Sequence, residues 1–152
     1  MTEQIPALTF ERVTEAMKGF NITLWPTEDP NVGTANLNGF RVTFALLNSV
    51  LIVRADNPTD LASDSGIPTL HLAANQVNCS GFGVKAVVAD REENLVVRTE
   101  CDLPIAAGIS DEQLTAALRG AVDEVLAGQD RVAQAAEGLL TQQDQSTENQ
   151  AD

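Results

Sequence analysis

The stretch FRVTFALLNSVLIVRA (residues 40–55) contains two apolar segments separated by a polar turn at Asn48 and Ser49. Apolar residues occupy every second position of the first segment, which is the pattern of a strand with one buried face. The second segment is almost continuously apolar, as is typical of a central strand. The apolar run is too short to cross a bilayer and is interrupted by the polar pair. We therefore predict a β-hairpin here rather than a membrane segment.

Helix and strand patterns on both sides of the hairpin give the order of the remaining elements. Before it, Thr9 is a plausible N-cap for a first helix, and residues 22–25 form a short strand. After it, a second helix begins near Pro68, and two strands follow at about residues 82–90 and 95–103. Ser110 and Gln113 have the spacing of a capping box, which begins a long last helix.

The links between successive strands are short, and short links join antiparallel neighbours. We therefore predict an α+β domain with helices on one side of an antiparallel sheet, in the order α-β-β-β-α-β-β-α. Residues 9–140 form this single domain, residues 1–8 are an N-terminal extension, and residues 141–152 are a disordered polar tail. The apolar spacing of the last helix continues through Gly128. The sequence leaves open whether the helix is continuous or breaks at this glycine.

The charge balance excludes two classes of partner. The chain has 22 acidic and 9 basic residues and a formal net charge of −13, which repels phosphate backbones and anionic lipids. The first residues have neither the basic nor the apolar region of a signal peptide. Cys79 and Cys101 are far apart in sequence, as expected for reduced thiols. We expect a cytoplasmic protein that binds neither nucleic acid nor membrane.

The sequence contains no convincing catalytic or metal-binding pattern. His71 is the only histidine, and on a helix it is about 80° out of line with Cys79. One histidine and two distant cysteines do not make a zinc site, and neither cysteine has an evident base. We expect no catalytic residue, no metal and no cofactor.

Two groups of polar residues are candidate contact sites. His71, Asn75 and Asn78 form a polar stripe beside the apolar face of the second helix. This stripe either binds a small ligand or consists of asparagines that hydrogen-bond nearby backbone.

The second group is basic: Arg41, Lys85 and Arg98 are placed by strand alternation on the sheet face opposite the helices. They form either a patch for an acidic peptide or small anion, or cross-strand pairs with acids such as Glu100. Each such pair contributes about 0.2–1 kcal/mol.

The segments AANQVN (residues 73–78) and CDLPIAAGISDEQLTAALRGAVDEV (residues 101–125), with the strands between them, resemble the YbjN family of small bacterial proteins. The resemblance covers about residues 9–126. It assigns a family signature to Asn75, Asn78, Leu103, Pro104, Gly108, Ile109, Ser110, Glu112 and Leu114, which we expect to be mainly structural. The resemblance implies the fold of type III secretion chaperones, which are acidic, often dimeric and bind protein. It also implies a role as a regulator of sensory transduction, with no established catalytic residues to carry over. The long last helix and glutamine-rich tail depart from a typical secretion chaperone, which argues against a role in secretion.

Taken together, these patterns predict a non-enzymatic protein-binding or regulatory protein. We expect a homodimer, because a last helix of about 30 residues would span about 45 Å and expose an apolar stripe. The alternative hypothesis is a small-ligand sensing domain that uses the stripe on the second helix.

Overall fold

The computed structural model describes residues 3–151 of the chain. In this range the elements are α1 (Phe10–Lys18), β1 (Trp25–Pro26), β2 (Val32–Leu37), β3 (Phe40–Leu46), β4 (Val50–Ala62), α2 (Thr69–Ser80), β5 (Lys85–Arg91), β6 (Asn94–Pro104) and α3 (Asp111–Gln150). The strands form one sheet in the order β1-β2-β3-β4-β6-β5, and each pair of neighbours is antiparallel. The predicted α+β fold with an antiparallel sheet is therefore confirmed.

The predicted hairpin is the β3–β4 pair at the centre of the sheet. Phe44 is directly opposite Val53, and both side chains are fully buried. The next strand in the sheet is β6, on the far side of β4. The continuously apolar segment thus became a central strand, as its composition indicated.

The three helices cover one face of the sheet. Their apolar residues share a single core with the alternate strand residues on that face; the fully buried large side chains are Val13, Met17, Val42, Phe44, Leu51, Val53, Leu114, Leu118, Val125 and Val132. We call the opposite, helix-free face the outer face. Its residues are the other alternate positions of each strand, such as Arg41 and Arg54.

The strands differ from the sequence prediction in three places. The structure adds β2, which was missed because Gly33 and Asn36 have low strand propensity. The Phe10 ring packs so closely over Gly33 that a Cβ there would lie 2.9 Å from it. The strand predicted at residues 22–25 is reduced to the two residues of β1. By contrast, β4 continues to Ala62, past the end of the predicted hairpin at residue 55, through a register shift between Pro58 and Ala62.

The described part of the predicted N-terminal extension is packed against the domain. Leu8 belongs to the buried core, and the Ile109 amide donates to the Pro6 carbonyl at 2.9 Å. The Arg12 guanidinium also donates to the Ala7 carbonyl at 2.9 Å and to the Ile109 carbonyl at 2.7 Å. The described residues of the extension are thus held in place by residues far along the chain. Residues 1 and 2 lie outside the described part.

The last helix, α3, is continuous through Gly128 and has 40 residues. It begins with the predicted capping box between Ser110 and Gln113. Gly128 is buried against the sheet, where an added Cβ would lie 3.1 Å from Thr99 and 3.2 Å from Val84. The glycine thus allows the helix axis to approach the sheet closely, and the backbone does not break.

Of the tail predicted as disordered at residues 141–152, residues 141–150 continue α3 as a helix that is exposed on every side, and residue 152 lies outside the described part. Helix propagation adds one hydrogen bond for each residue that is fixed, so a packed helix can continue into a polar segment. Hydroxyl groups of Thr141, Ser146 and Thr147 bond back to carbonyls four residues earlier. No helix among residues 3–151 has the combination of length and apolar character that would cross a membrane.

Candidate binding surface

The outer face is crossed by rows of directly opposed residues. One row uses all six strands and runs through Trp25, Thr34, Thr43, Arg54, Glu100 and Lys85. The adjacent row runs through Asn36, Arg41, Asp56, Arg98 and Val87. Five of the nine basic residues of the chain lie on this face: Arg41, Arg54, Lys85, Arg91 and Arg98. The three basic residues named from the sequence are thus brought onto one face.

Arg98 is held by Asp56 in a bidentate ion pair. Its Nε donates to Asp56 Oδ1 at 2.8 Å, and its Nη2 donates to Oδ2 at 3.0 Å. This hydrogen bonding raises the pKa of Arg98, although burial acts in the opposite direction. A fork of this kind fixes both side chains in one orientation.

Glu100, which is itself buried, is the centre of a second ion-pair group. Its carboxylate accepts a hydrogen bond from Arg54 Nε at 2.9 Å and lies 2.8 Å from Arg54 Nη2 and 3.3 Å from Lys85 Nζ. Burial by itself raises the pKa of Glu100, but the hydrogen bonds and charges of Arg54 and Lys85 outweigh it, so that the pKa lies below its usual value. The neighbouring Asp102 has a raised pKa because of burial and the negative charge of Glu100. Lys85 and Arg98 therefore take part in cross-strand pairing.

Arg41 differs from these two residues because it has no ion pair or side-chain hydrogen bond with any residue in the range 3–151. Asp56 lies opposite Arg41 in the register but is engaged by Arg98. Arg91 is likewise exposed and unpaired within the same range. Two guanidinium groups on this face are thus available to a ligand or partner.

Both arginines line two open clefts on the outer face. The larger, of about 440 Å³, is lined by Thr27, Glu28, Asp29, Val32, Thr34, Arg41, Thr43, Arg54, Asp56 and Arg91. The smaller, of about 320 Å³, is lined by Arg41, Asp56, Pro58, Arg91, Glu92, Asn94 and Val96. Because Arg41, Asp56 and Arg91 belong to both linings, the two clefts adjoin at these residues.

Trp25, the only tryptophan of the chain, lies at the β1 edge of the outer face. Its side chain is 70% exposed and is directly opposite Thr34, which lines the larger cleft. Tryptophan and arginine are the residue types most enriched among the energetically dominant contacts of protein interfaces. Trp25, Arg41 and Arg91 therefore mark the outer face as a candidate binding surface.

The polar stripe on α2 does not act as one unit. Asn78 Nδ2 donates to the Ala86 carbonyl at 2.8 Å, and the Ala86 amide donates to Asn78 Oδ1 at 2.7 Å. His71 and Asn75 are exposed and have no side-chain hydrogen bond within residues 3–151. The backbone-bonding interpretation thus describes Asn78, while the other two residues point to solvent beside it.

The remaining signature residues lie at the start of α3 and before it. Leu103 is half-buried against the core, and Pro104 is the last residue of β6, opposite Val50. Gly108 has a φ of +88°, and a Cβ there would lie 2.7 Å from the Pro6 carbonyl oxygen. Ser110 supplies the capping box and Leu114 is 1% exposed. In this structure Gly108 and Ser110 set the backbone conformation at the start of α3, whereas Leu103 and Leu114 pack in the core.

Sequence reasoning missed Arg54, Asp56, Arg91 and Trp25. Arg54 and Asp56 have the same alternation as Arg41, so the strand pattern of β4 contained the signal that could have found them. Arg91 falls between the two strands predicted at residues 82–90 and 95–103, and Trp25 gives only an ordinary strand signal. Their meeting at one face depends on the register of strands that are distant in sequence.

These features define a class: a two-layer α+β domain, with three helices on one face of a six-stranded antiparallel sheet and a polar outer face. The family model of YbjN, described as "Putative bacterial sensory transduction regulator", matches residues 9–134. The chain therefore belongs to the YbjN family.

A solved structure supports the same fold. The crystal structure of "YbjN, a putative transcription regulator from E. coli" superposes on this chain with a TM-score of 0.69 at 12% sequence identity. The match covers 82% of this chain and 90% of that chain. A comparison with curated proteins finds no match.

Proposed function

We propose that this protein is a non-enzymatic regulatory protein of the bacterial cytoplasm that acts, in the manner of a chaperone-like binding domain, by binding another protein through its outer face. The observation that carries the proposal is the exposed Trp25 on the same helix-free face as the unpaired Arg41 and Arg91. An exposed tryptophan on the same face as free guanidinium groups is a favourable composition for a protein interface. Membership of a family of bacterial regulators supports the regulatory role.

The proposal of a non-enzymatic role is supported by how two outer-face carboxylates, Asp56 and Glu100, are held. Asp56 is bound in a fork by Arg98, and Glu100 is bound by Arg54 and Lys85. Charged partners of this kind occupy the lone pairs of the carboxylate. Such groups serve to order the surface, whereas a general acid or base needs access to a substrate proton.

The outer face is tested by placing a photo-crosslinking amino acid at position 25 and, as a matched control, at position 140. Leu140 is 52% exposed on α3 and lies away from the outer face. We expect light-dependent adducts with a defined protein from position 25 only, and we expect Arg41→Glu to abolish them. Equal adducts from both positions, or adducts that are unaffected by Arg41→Glu, would contradict the proposal.

The homodimer remains a separate prediction, and the helix stripe does not support it. The apolar residues of α3 up to Leu139 pack against the sheet and α2 within the same chain, and residues 141–150 are polar. Light scattering of the purified protein at tens of micromolar decides the oligomeric state. A strict monomer would end the dimer prediction and leave the outer-face proposal intact.

A further inference from the structure

The strand β5 is one edge of the sheet, and a side chain blocks its free side at Ala86. Both the N–H and the C=O of Ala86 bond to Asn78, so both groups face away from β6. The direction of these groups alternates along an antiparallel strand. The N–H and C=O of Val88 and Asp90 therefore also face away from β6.

Within residues 3–151, no backbone or side-chain partner bonds these outward groups of Val88 and Asp90. Asp90 is exposed and Val88 is half-buried. The opposite edge of the sheet is different, because β1 has only two residues and one of them is Pro26. A short, proline-containing edge resists strand pairing, whereas a long edge with unpaired groups is a template for it. β5 has seven residues and is thus the open edge.

The side chains of β5 define what an added strand must present. On the outer face the strand carries Lys85, Val87, Ala89 and Arg91 in succession. Lys85 remains 57% exposed despite its contact with Glu100, and Val87 is 39% exposed. Cross-strand neighbours stabilise a sheet when opposite charges or apolar groups face each other. The complementary pattern on an added strand is acidic, apolar, apolar, acidic at alternate positions.

We propose that the β5 edge binds an extended segment of a partner protein by strand addition, and that this segment has acidic residues flanking two apolar residues at alternate positions. Main-chain hydrogen bonds to Val88 and Asp90 provide the attachment, and side chains opposite Lys85, Val87 and Arg91 provide the selectivity. Asn78 occupies the N–H and C=O of Ala86, so the added strand bonds only to the main-chain groups of Val88 and Asp90, and its residue nearest Lys85 meets the exposed end of that side chain. This inference shares Arg91 with the candidate binding surface but involves neither Trp25 nor Arg41.

The probe is a heptapeptide of sequence Glu-Thr-Val-Thr-Val-Thr-Glu, whose pattern is the same in either direction along β5. It is titrated into the full-length ¹⁵N-labelled protein. We expect saturable binding with slowed hydrogen exchange at the amides of Val88 and Asp90. Replacing both glutamates by lysine is expected to weaken binding about tenfold or more, because like charges then face each other. A peptide that is N-methylated on its edge-facing amides is expected not to bind.

The matched variants are Asp90→Pro and Asp90→Ala. Proline removes an outward N–H and no β5–β6 ladder bond, because residue 90 faces away from β6. We expect Asp90→Pro to lose peptide binding and Asp90→Ala to retain it, with the fold of both checked by their amide spectra. If Asp90→Pro proves unfolded, the N-methylated peptide tests the same main-chain hydrogen bonds on the unmodified protein. Absence of binding at millimolar peptide, or equal binding of the methylated peptide, would overturn the inference.

The two proposals can fail separately. Trp25→Ala leaves the β5 edge intact and is expected to leave heptapeptide binding unchanged. Asp90→Pro is expected to leave the adducts from position 25 unchanged.

Discussion

Asn78 takes the place of a neighbouring strand for Ala86: its side-chain amide donates to the Ala86 carbonyl and accepts from the Ala86 amide, at 2.8 and 2.7 Å. One residue of α2 thereby fixes the helix end to the edge strand and satisfies two backbone groups that would otherwise be unpaired. This gives a physical role to one asparagine of the family signature. Asn75, one turn earlier on the same helix, has no such contact among the described residues.

The first prediction compares these two asparagines. We expect Asn78→Ala to lower the free energy of unfolding by about 1–3 kcal/mol, because two backbone groups lose their partner. Asn75→Ala makes the same change of residue type at an exposed helix position. Its free energy of unfolding is expected to stay within about 0.5 kcal/mol of that of the parent. Urea unfolding followed by circular dichroism measures both. Equal losses in the two variants would show that the Asn78 contact does not stabilise the fold.

The second prediction concerns two glycines of α3. We expect Gly120→Ala to raise stability by about 0.5–1 kcal/mol, since the position has open space and alanine favours the helix. We expect Gly128→Ala to lower it, because the new methyl group would lie 3.1 Å from Thr99 Cγ2. The Thr99 side chain is fully buried and cannot move aside easily, since its hydroxyl donates to the Val125 carbonyl at 2.7 Å. Thermal unfolding of the two variants checks the opposite signs.

The third prediction is a pH dependence due to Glu100. Its pKa in the folded protein lies below its ordinary value of 4.5, so folding favours the ionised form. The stabilisation is therefore fully present above the ordinary pKa and is lost as the pH falls through the lower, folded value. The pKa of Asp102 is raised, so its contribution to stability changes with pH in the opposite direction. We therefore compare Glu100 with Glu100→Gln in an Asp102→Asn background. The difference in unfolding free energy should shrink from neutral pH towards acid; a constant difference would contradict this.

The fourth prediction distinguishes the two cysteines. Cys79 is exposed, whereas Cys101 is half-buried. Burial raises the pKa of the Cys101 thiol, and the negative charges of Asp102 and Glu124 raise it further. Because the thiolate is the reactive form, we expect iodoacetamide to modify Cys79 much faster at neutral pH. Mass spectrometry of a time course measures the rates, and the two sites should react alike once the protein is unfolded.

The fifth prediction tests the geometry of β5 without a ligand. In the free protein, the outward amides of Val88 and Asp90 should exchange with solvent faster than those of Val87 and Ala89, which face β6. The Ala86 amide should be protected by Asn78 and should become fast in Asn78→Ala. Residue-resolved hydrogen exchange measures all five positions. Uniform protection along β5 would show that its edge is covered.

Much of the fold was predictable because its signals are local. Strand alternation identified β3, a continuous apolar run identified β4 as central, and the spacing of Ser110 and Gln113 identified the start of α3. β2 was missed because Gly33 gives no local strand signal, and its close contact with the Phe10 ring is visible only in the folded chain. The helical continuation of α3 past residue 140 was missed because its composition offers nothing to bury.

The sequence by itself determined the α+β class, the hairpin, the helix caps, the acidic charge and the outward placement of Arg41, Lys85 and Arg98. Each of these follows from residue types and from the fixed periods of helices and strands. Only the tertiary structure decided that Asp56 binds Arg98 and leaves Arg41 free, and that Asn78 bonds to Ala86. The first pair is 42 residues apart in sequence, and its formation depends on the register between β4 and β6. Periodicity assigns a side chain to a face, but the partner on that face is set by strand order and register, which long-range packing selects.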